Sequence, residues 1–156
     1  QNLTIAARIW GQHKESQNEP GQAAKIYLDI LRMGQALEHG ACTDMLRGIT
    51  IERIGLRSLK VVASKLSREQ RRETARELKL LNTRIAFEEV MRREDYLIAV
   101  QNRTVFRQLL LRYRWDEMLQ EFYANARAKH EQIREDIASA AAEISPEPDP
   151  DFKAGG

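Results

Sequence analysis

The sequence predicts an all-α fold, arranged as a helical-hairpin bundle or a short tetratricopeptide-like array of about six or seven helices. Three observations carry this. Three of the four prolines, Pro146, Pro148 and Pro150, gather at the end of the chain, which leaves residues 1–145 with Pro20 as their one proline. Apolar residues recur at spacings of three and four over long stretches, the repeat of one face of an α-helix. No run alternates β-branched and polar residues between turn pairs, so strand signals are missing.

The first predicted helix runs from about Leu3 to Gln17, with Leu3, Ala6, Ala7 and Trp10 on one stripe. Asn18-Glu19-Pro20-Gly21 breaks it. A second follows from Gln22 to about Glu38, where Ala23, Tyr27, Ile30, Gly34 and Leu37 keep a 4-3-4-3 spacing and Ile26, Leu28, Leu31 and Met33 make the flanks apolar. That composition predicts a helix buried on most sides. Gly40 is the expected left-handed residue past its end.

The third helix, about Thr43 to Leu66, carries Met45, Ile49, Glu52, Leu56, Leu59, Ala63 and Leu66 along one seam. Glu52 is an acid in an apolar register. Beside the seam lie Gly48, Ile51, Gly55 and Ser58. Glycine within a helix costs about 1 kcal/mol against alanine, so two of them seven residues apart predict a second backbone packed close by. Ser67-Arg68-Glu69-Gln70 has the form of a capping box and opens a fourth helix, about Arg68 to Leu81, with Ala75, Leu78 and Leu81 inward.

A fifth helix, about Arg84 to Val100, places Phe87, Val90, Met91, Leu97 and Ile98 on its stripe with Glu94 among them. From Thr104 the pattern passes through Phe106, Leu109, Leu110 and Tyr113. It then changes phase to Trp115, Met118, Leu119, Phe122 and Ala126, which predicts a break near Arg114. The last helix reaches Ile144, a span of about 45 Å at 1.5 Å per residue. Its stripe thins beyond Ala126 to Ile133, Ile137, Ala141 and Ile144, which predicts a lightly packed far end. Residues 1–144 therefore read as one helical domain and residues 145–156 as a Pro-rich acidic extended tail.

The chain of 156 residues is 42% hydrophobic and 31% charged, the balance of a globular domain, and no run of 18 apolar residues suits a membrane span. Its single cysteine, Cys42, excludes an internal disulfide and leaves the compartment open. The net charge of +2 is unevenly spread: Arg53 to Arg84 is basic, whereas Glu131 to Asp151 holds one cation, Arg134, among its acids. The start at Gln1, inside helical sequence, leads us to expect an upstream segment.

Glu52 and Glu94 are the candidates for chemistry. Two carboxylates meeting inside an apolar interface push one pKa upward and form an acid/base couple for a hydrolase or lyase-like reaction. The alternative is that each takes an arginine from a neighbouring helix and fixes helix register. His39 and Cys42 form half of a zinc-ligand spacing, with His13 and His130 isolated, so no metal is expected. Phosphate-cradling glycine loops, nucleophile elbows and the Glu-x-x-His spacing of di-iron bundles are absent, and no cofactor is expected.

The basic residues Arg53, Arg57 and Lys60 on the third helix, and Arg68, Arg72, Arg76 and Lys79 on the fourth, are the binding candidates. Nucleic acid is the weaker partner for them, because Glu69, Glu73 and Glu77 run alongside and no aromatic is interleaved to stack bases. A solvated face, or an acidic partner such as the chain's own C-terminal segment, fits better. The aromatic residues Phe106, Tyr113, Trp115, Phe122 and Tyr123 read as core, or as a groove where exposed. The expected partner is another protein, a second copy of the chain included, with no contact to a membrane by this domain.

The stretch "AARIWGQHKESQNEPGQAAKIYLDILRMGQAL" is similar to the helical hairpins of tetratricopeptide repeats, although the 34-residue period does not recur downstream. Residues 3–98, with "LRMGQALEHG" leading into "LRGITIERIGLRSLKVVASKLSREQ", resemble a family of uncharacterised bacterial all-helical proteins. That resemblance implies a domain behind an N-terminal signal or anchor, facing away from the cytoplasm. It carries across two positions, Glu52 in "ITIERIG" and Glu94 in "RREDY", and no activity. The segment after Val100 departs from that family. Elimination then leaves a non-enzymatic interaction or scaffold domain of a bacterial envelope protein as the reading of function, with the carboxylate-pair enzyme and the nucleic-acid helix pair as alternatives.

Overall fold

A computed structural model describes residues 2–40, 42–82, 89–90, 92–93 and 115–145, with side chains from residue 120 onward in the last stretch. Among these the fold is all-α: α1 (Asn2–Ser16), α2 (Pro20–Leu37), α3 (Cys42–Ala63), α4 (Arg68–Leu81) and α5 (Trp115–Ile144). No strand occurs among the described residues. Most of the predicted fifth helix, the stretch through Tyr113 and the tail lie outside them, and so does the remainder of the predicted six or seven helices. Val90, predicted to face inward, is buried.

Local chemistry sets the ends of these helices. Pro20 occupies the first turn of α2, where its missing N–H costs nothing. Asn18, at φ 58°, turns the chain between α1 and α2, a conformation asparagine tolerates. The capping box of α4 forms in full: the Gln70 amide donates to Ser67 Oγ at 3.2 Å, and the Ser67 amide donates to Gln70 Oε1 at 3.0 Å. At the end of α2 the expectation for Gly40 is corrected, because it does not adopt a positive φ. The last turn instead tightens, with Glu38 N–H bonded to Gln35 O at 3.1 Å and Gly40 N–H to Leu37 O at 3.0 Å. Gly40 is small for a different reason: a Cβ there would lie 2.8 Å from Asp44 Cβ at the start of α3.

The antiparallel α2–α3 pair is the centre of the molecule. Gly34 and Gly48 meet at the crossing, where a Cβ on Gly48 would sit 2.5 Å from the Gly34 carbonyl oxygen. Gly55 lies one step along, against the Tyr27 carbonyl and Leu31. The small strip of α3 is therefore a backbone-to-backbone contact, and it brings the side chains beyond it, Glu38 and Glu52, to the same level.

The remaining helices close a ring. α4 packs on α2 and α5, and α5 packs on α3 and α4. Ion pairs and hydrogen bonds give the directions. Arg32 of α2 pairs with Glu77 of α4 at 2.5 Å and Gln35 donates to Leu81 O at 3.0 Å, so α2 and α4 run parallel. Glu52 of α3 meets Arg134 of α5, and Lys60 pairs with Glu143 at 3.2 Å, so α3 and α5 run parallel. The four helices α2, α3, α5 and α4 thus enclose one core, and α1 lies outside, against α2.

Two packing expectations are corrected. On α1 most of the predicted stripe does not face inward: Leu3 is 70% and Trp10 55% exposed and Ala6 is exposed, Ala7 packs against the core, and the buried residues are Thr4 and Gly11. The reason is Tyr27. Its ring fills the space beside Gly11, where a Cβ would lie 2.4 Å from the ring, and its hydroxyl donates to Glu15 at 2.6 Å. Burial, and next the Glu15 hydrogen bond, push the Tyr27 hydroxyl pKa upward. The helix therefore docks through its smallest side chains. On α5 the far end is tightly packed, because Ile133, Ile137, Ala140, Ala141 and Ile144 are all buried. The apolar stripe looked thin because two of its inward positions are His130 and Arg134.

Candidate functional site

The ring of four helices converges on a polar centre. Glu38 from the end of α2, Glu52 from the middle of α3, and His130 and Arg134 one turn apart on α5 are 0%, 1%, 5% and 3% exposed. Arg134 Nη2 donates to Glu38 Oε1 at 2.6 Å and lies 2.6 Å from Glu52 Oε2 and 2.7 Å from Glu52 Oε1. Its Nη1 donates to the Leu81 carbonyl at 3.2 Å, at the last residue of α4. Leu81 O also accepts from Gln35. Both α2 and α4 end here, and the partial negative charge of two helix C-termini favours a guanidinium in this position.

One cation faces two carboxylates, and that imbalance governs the electrostatics. Burial raises the Glu52 pKa, Arg134 opposes the rise, the negative charge of Glu38 adds to it, and the result is pushed up to about 8. Glu38 moves the other way. Burial works against its ionisation, but His130 and the Arg134 charge outweigh it and hold its carboxyl below the usual carboxylate value. With a single guanidinium between them, the two buried acids do not ionise alike: Glu52 is the one whose ionisation is pushed up, and Glu38 the one held down. Glu38 Oε2 and His130 Nε2 face each other at 3.5 Å.

The four side chains of this centre are all buried, and Arg134 lies against both acids. A substrate reaching Glu52 would have to displace Arg134, and removing one partner of a buried ion pair costs about 3 to 5 kcal/mol. Of the residues expected to carry chemistry, Glu52 is therefore buried and bound to an arginine of α5, while Glu94 lies outside the described residues, so the meeting of that pair does too. Glu38, His130 and Arg134 were not singled out by sequence reasoning as parts of a site. An arginine and a histidine at inward positions of the last stripe were the available signal.

The predicted basic residues fall on two separate faces. Arg53 and Arg57 are exposed on α3, and Arg68, Arg72 and Arg76 are exposed on α4, with Lys79 half-buried. Glu69 and Glu73 are exposed beside the α4 group. His39 is exposed and Cys42 fully buried, and no group of three or more His, Cys, Asp or Glu able to hold a metal occurs among the described residues. Phe122 is 39% exposed, whereas Tyr123 packs against the core. Phe106, Tyr113 and the Trp115 side chain lie outside the described residues.

The surface carries an open apolar feature. A groove of about 800 Å³ runs between Ile5 of α1, Leu37 at the end of α2, and Leu46, Thr50, Ile51 and Ile54 of α3, with Arg47 on its rim. Ile5 is 54% and Ile9 60% exposed on the α1 side. A second hollow of about 580 Å³, between the start of α2 and α4, has the charged residues Lys25, Asp29, Arg32, Glu73 and Glu77 on its walls. No described helix is long and apolar enough to cross a membrane. Comparison with protein families, curated proteins and solved structures found no match to this chain.

Proposed function

We propose that the chain is a non-enzymatic helical interaction domain whose binding surface is the α1–α2–α3 groove. The observation that carries this is the groove itself: apolar side chains of three helices are left in solvent around a concavity of about 800 Å³. On the α1 side Ile5 and Ile9, one turn apart, are 54% and 60% exposed. A contiguous apolar surface of that kind marks an interaction site more often than a bare surface. The buried acids support the same reading, because Glu38 and Glu52 are spent on Arg134 and lie within the four-helix ring. The basic face of α4 supports nucleic acid less well, since Glu69 and Glu73 stand among its cations.

A peptide-display selection on the immobilised full chain tests the proposal. Peptides with apolar residues at helical spacing are expected to enrich, and to lose binding to the Ile54→Glu variant whose helicity is unchanged. Enrichment that survives Ile54→Glu, or no enrichment at all, rejects the groove as the binding surface. The acid/base alternative has its own readout. Glu52→Gln would abolish a turnover if Glu52 were catalytic, and on the present reading it leaves binding intact.

A further inference from the structure

The rim of the groove carries a charge pattern that the apolar floor does not explain. Arg47 stands on the rim and pairs with Asp44 at 3.2 Å, with its side chain 72% exposed. Arg53 and Arg57 follow at helical spacing from Thr50 and Ile54, both exposed, and neither forms an ion pair among the described residues. Arg8, exposed on α1, is one turn from Thr4 and Ile5, which border the groove on the other side.

Arg53 and Arg57 have no acid three or four residues away on α3. Between Met45 and Arg68 the sequence contains one acid, Glu52, and it is buried. The outer surface of α3 therefore carries Leu46, Ile54 and Val61, the last 62% exposed, flanked by the cations Arg53 and Arg57, while Arg47 pairs with Asp44 and Lys60 with Glu143. The strip from Arg47 to Val61 is about 21 Å long at 1.5 Å per residue. A helix of about four turns matches that length, and laying an apolar face into a groove is a common mode of helix recognition.

Resting on the interaction reading above, we infer that the groove takes an amphipathic helix whose polar flanks are acidic. Ile54, Ile51 and Leu46 receive its apolar face, and Arg8, Arg47, Arg53 and Arg57 receive its carboxylates. Complementary charge at a rim sets specificity and speeds encounter more than it deepens affinity, so the acidic flanks select the partner and the apolar floor holds it. An anionic membrane is the competing source of apolar and acidic chemistry. The concave shape favours a helix, because a membrane presents a flat surface.

The test is fluorescence anisotropy of the full chain with two 18-residue probe peptides. Both have leucine at positions spaced three and four apart, and their polar positions are all Glu in one and all Lys in the other. The Glu peptide is expected to bind at least tenfold tighter than the Lys peptide, and its affinity is expected to fall as salt rises. The double variant Arg53→Glu/Arg57→Glu changes exposed positions, so it folds, and is expected to reverse the preference. Equal binding of the two peptides, or a preference unmoved by the double variant, overturns the acidic assignment while leaving the groove as an interaction site. Binding to neither peptide overturns both. Sedimentation with vesicles containing phosphatidylserine forms the last arm: retention on vesicles without peptide binding assigns the surface to a membrane and overturns the proposal.

Discussion

The Arg134 guanidinium ties α5 to the ends of α2 and α4 and to the middle of α3. Replacing Arg134 with methionine leaves two acids buried without a cation, and a loss of about 3 to 5 kcal/mol in urea unfolding is expected. Combining Arg134→Met with Glu38→Gln and Glu52→Gln removes both stranded acids and should recover most of that loss. The upward shift of Glu52 adds a pH dependence and fixes its sign. A pKa raised from 4.5 to about 8 means that the group's contribution is fully present below about 4.5 and is lost as pH rises to about 8. Glu38, held low, contributes in the opposite sense, above its unfolded value, and that part is lost only in acid. The urea midpoint of the wild type should therefore decline between pH 5 and pH 8. Glu52→Gln, which cannot ionise, should flatten the decline; an unchanged slope would mean that another group titrates.

At the scale of elements, the α2–α3 crossing is the least tolerant contact. Gly48→Ala gains about 1 kcal/mol of helix propensity, but the new methyl would lie 2.5 Å from the backbone oxygen of Gly34, which no rotamer change relieves. Forced overpacking costs about 1 to 3 kcal/mol, so a net loss is expected, measured as a drop in urea midpoint. Gly21→Ala is the contrasting variant, because the atom it meets is the end of the Gln70 side chain. That side chain can swing away, so the cost should not exceed about 1 kcal/mol, that of losing the Gln70 half of the capping box. Ser67→Ala removes one half of the α4 capping box and should cost about 1 kcal/mol. These elements were legible in the sequence to different degrees. The box at Ser67 and the glycine strip of α3 are local signals, complete within a few residues, and each appears as read. The inward face of α1 was not legible, because residue size outweighed hydrophobicity there: Tyr27 needs a glycine opposite it, so Leu3 and Trp10 turn outward.

At the scale of the whole molecule, the ring α2–α3–α5–α4 closes only when the C-terminal half of α5 docks. Burying Ile133, Ile137 and Ile144 contributes about 1.5 to 3 kcal/mol each, on top of the Arg134 contacts. A chain ending after Asn125 should therefore lose its cooperative unfolding transition, seen as a broad, shallow loss of near-ultraviolet circular dichroism with denaturant. A sharp transition in that truncated chain would show that the ring is not one folding unit. The sequence by itself determined the five described helices, their order, the cap of α4, the close crossing at Gly48 and the anomaly of Glu52, because each depends on periodicity or on neighbours along the chain. What Glu52 meets was decided only in three dimensions. Its cation lies 82 residues away and shares its donor nitrogen with Glu38, 96 residues from it. No local spacing encodes a pairing across four helices: the closing of the ring brings those charges together, and their exclusion from water makes the arrangement a lock.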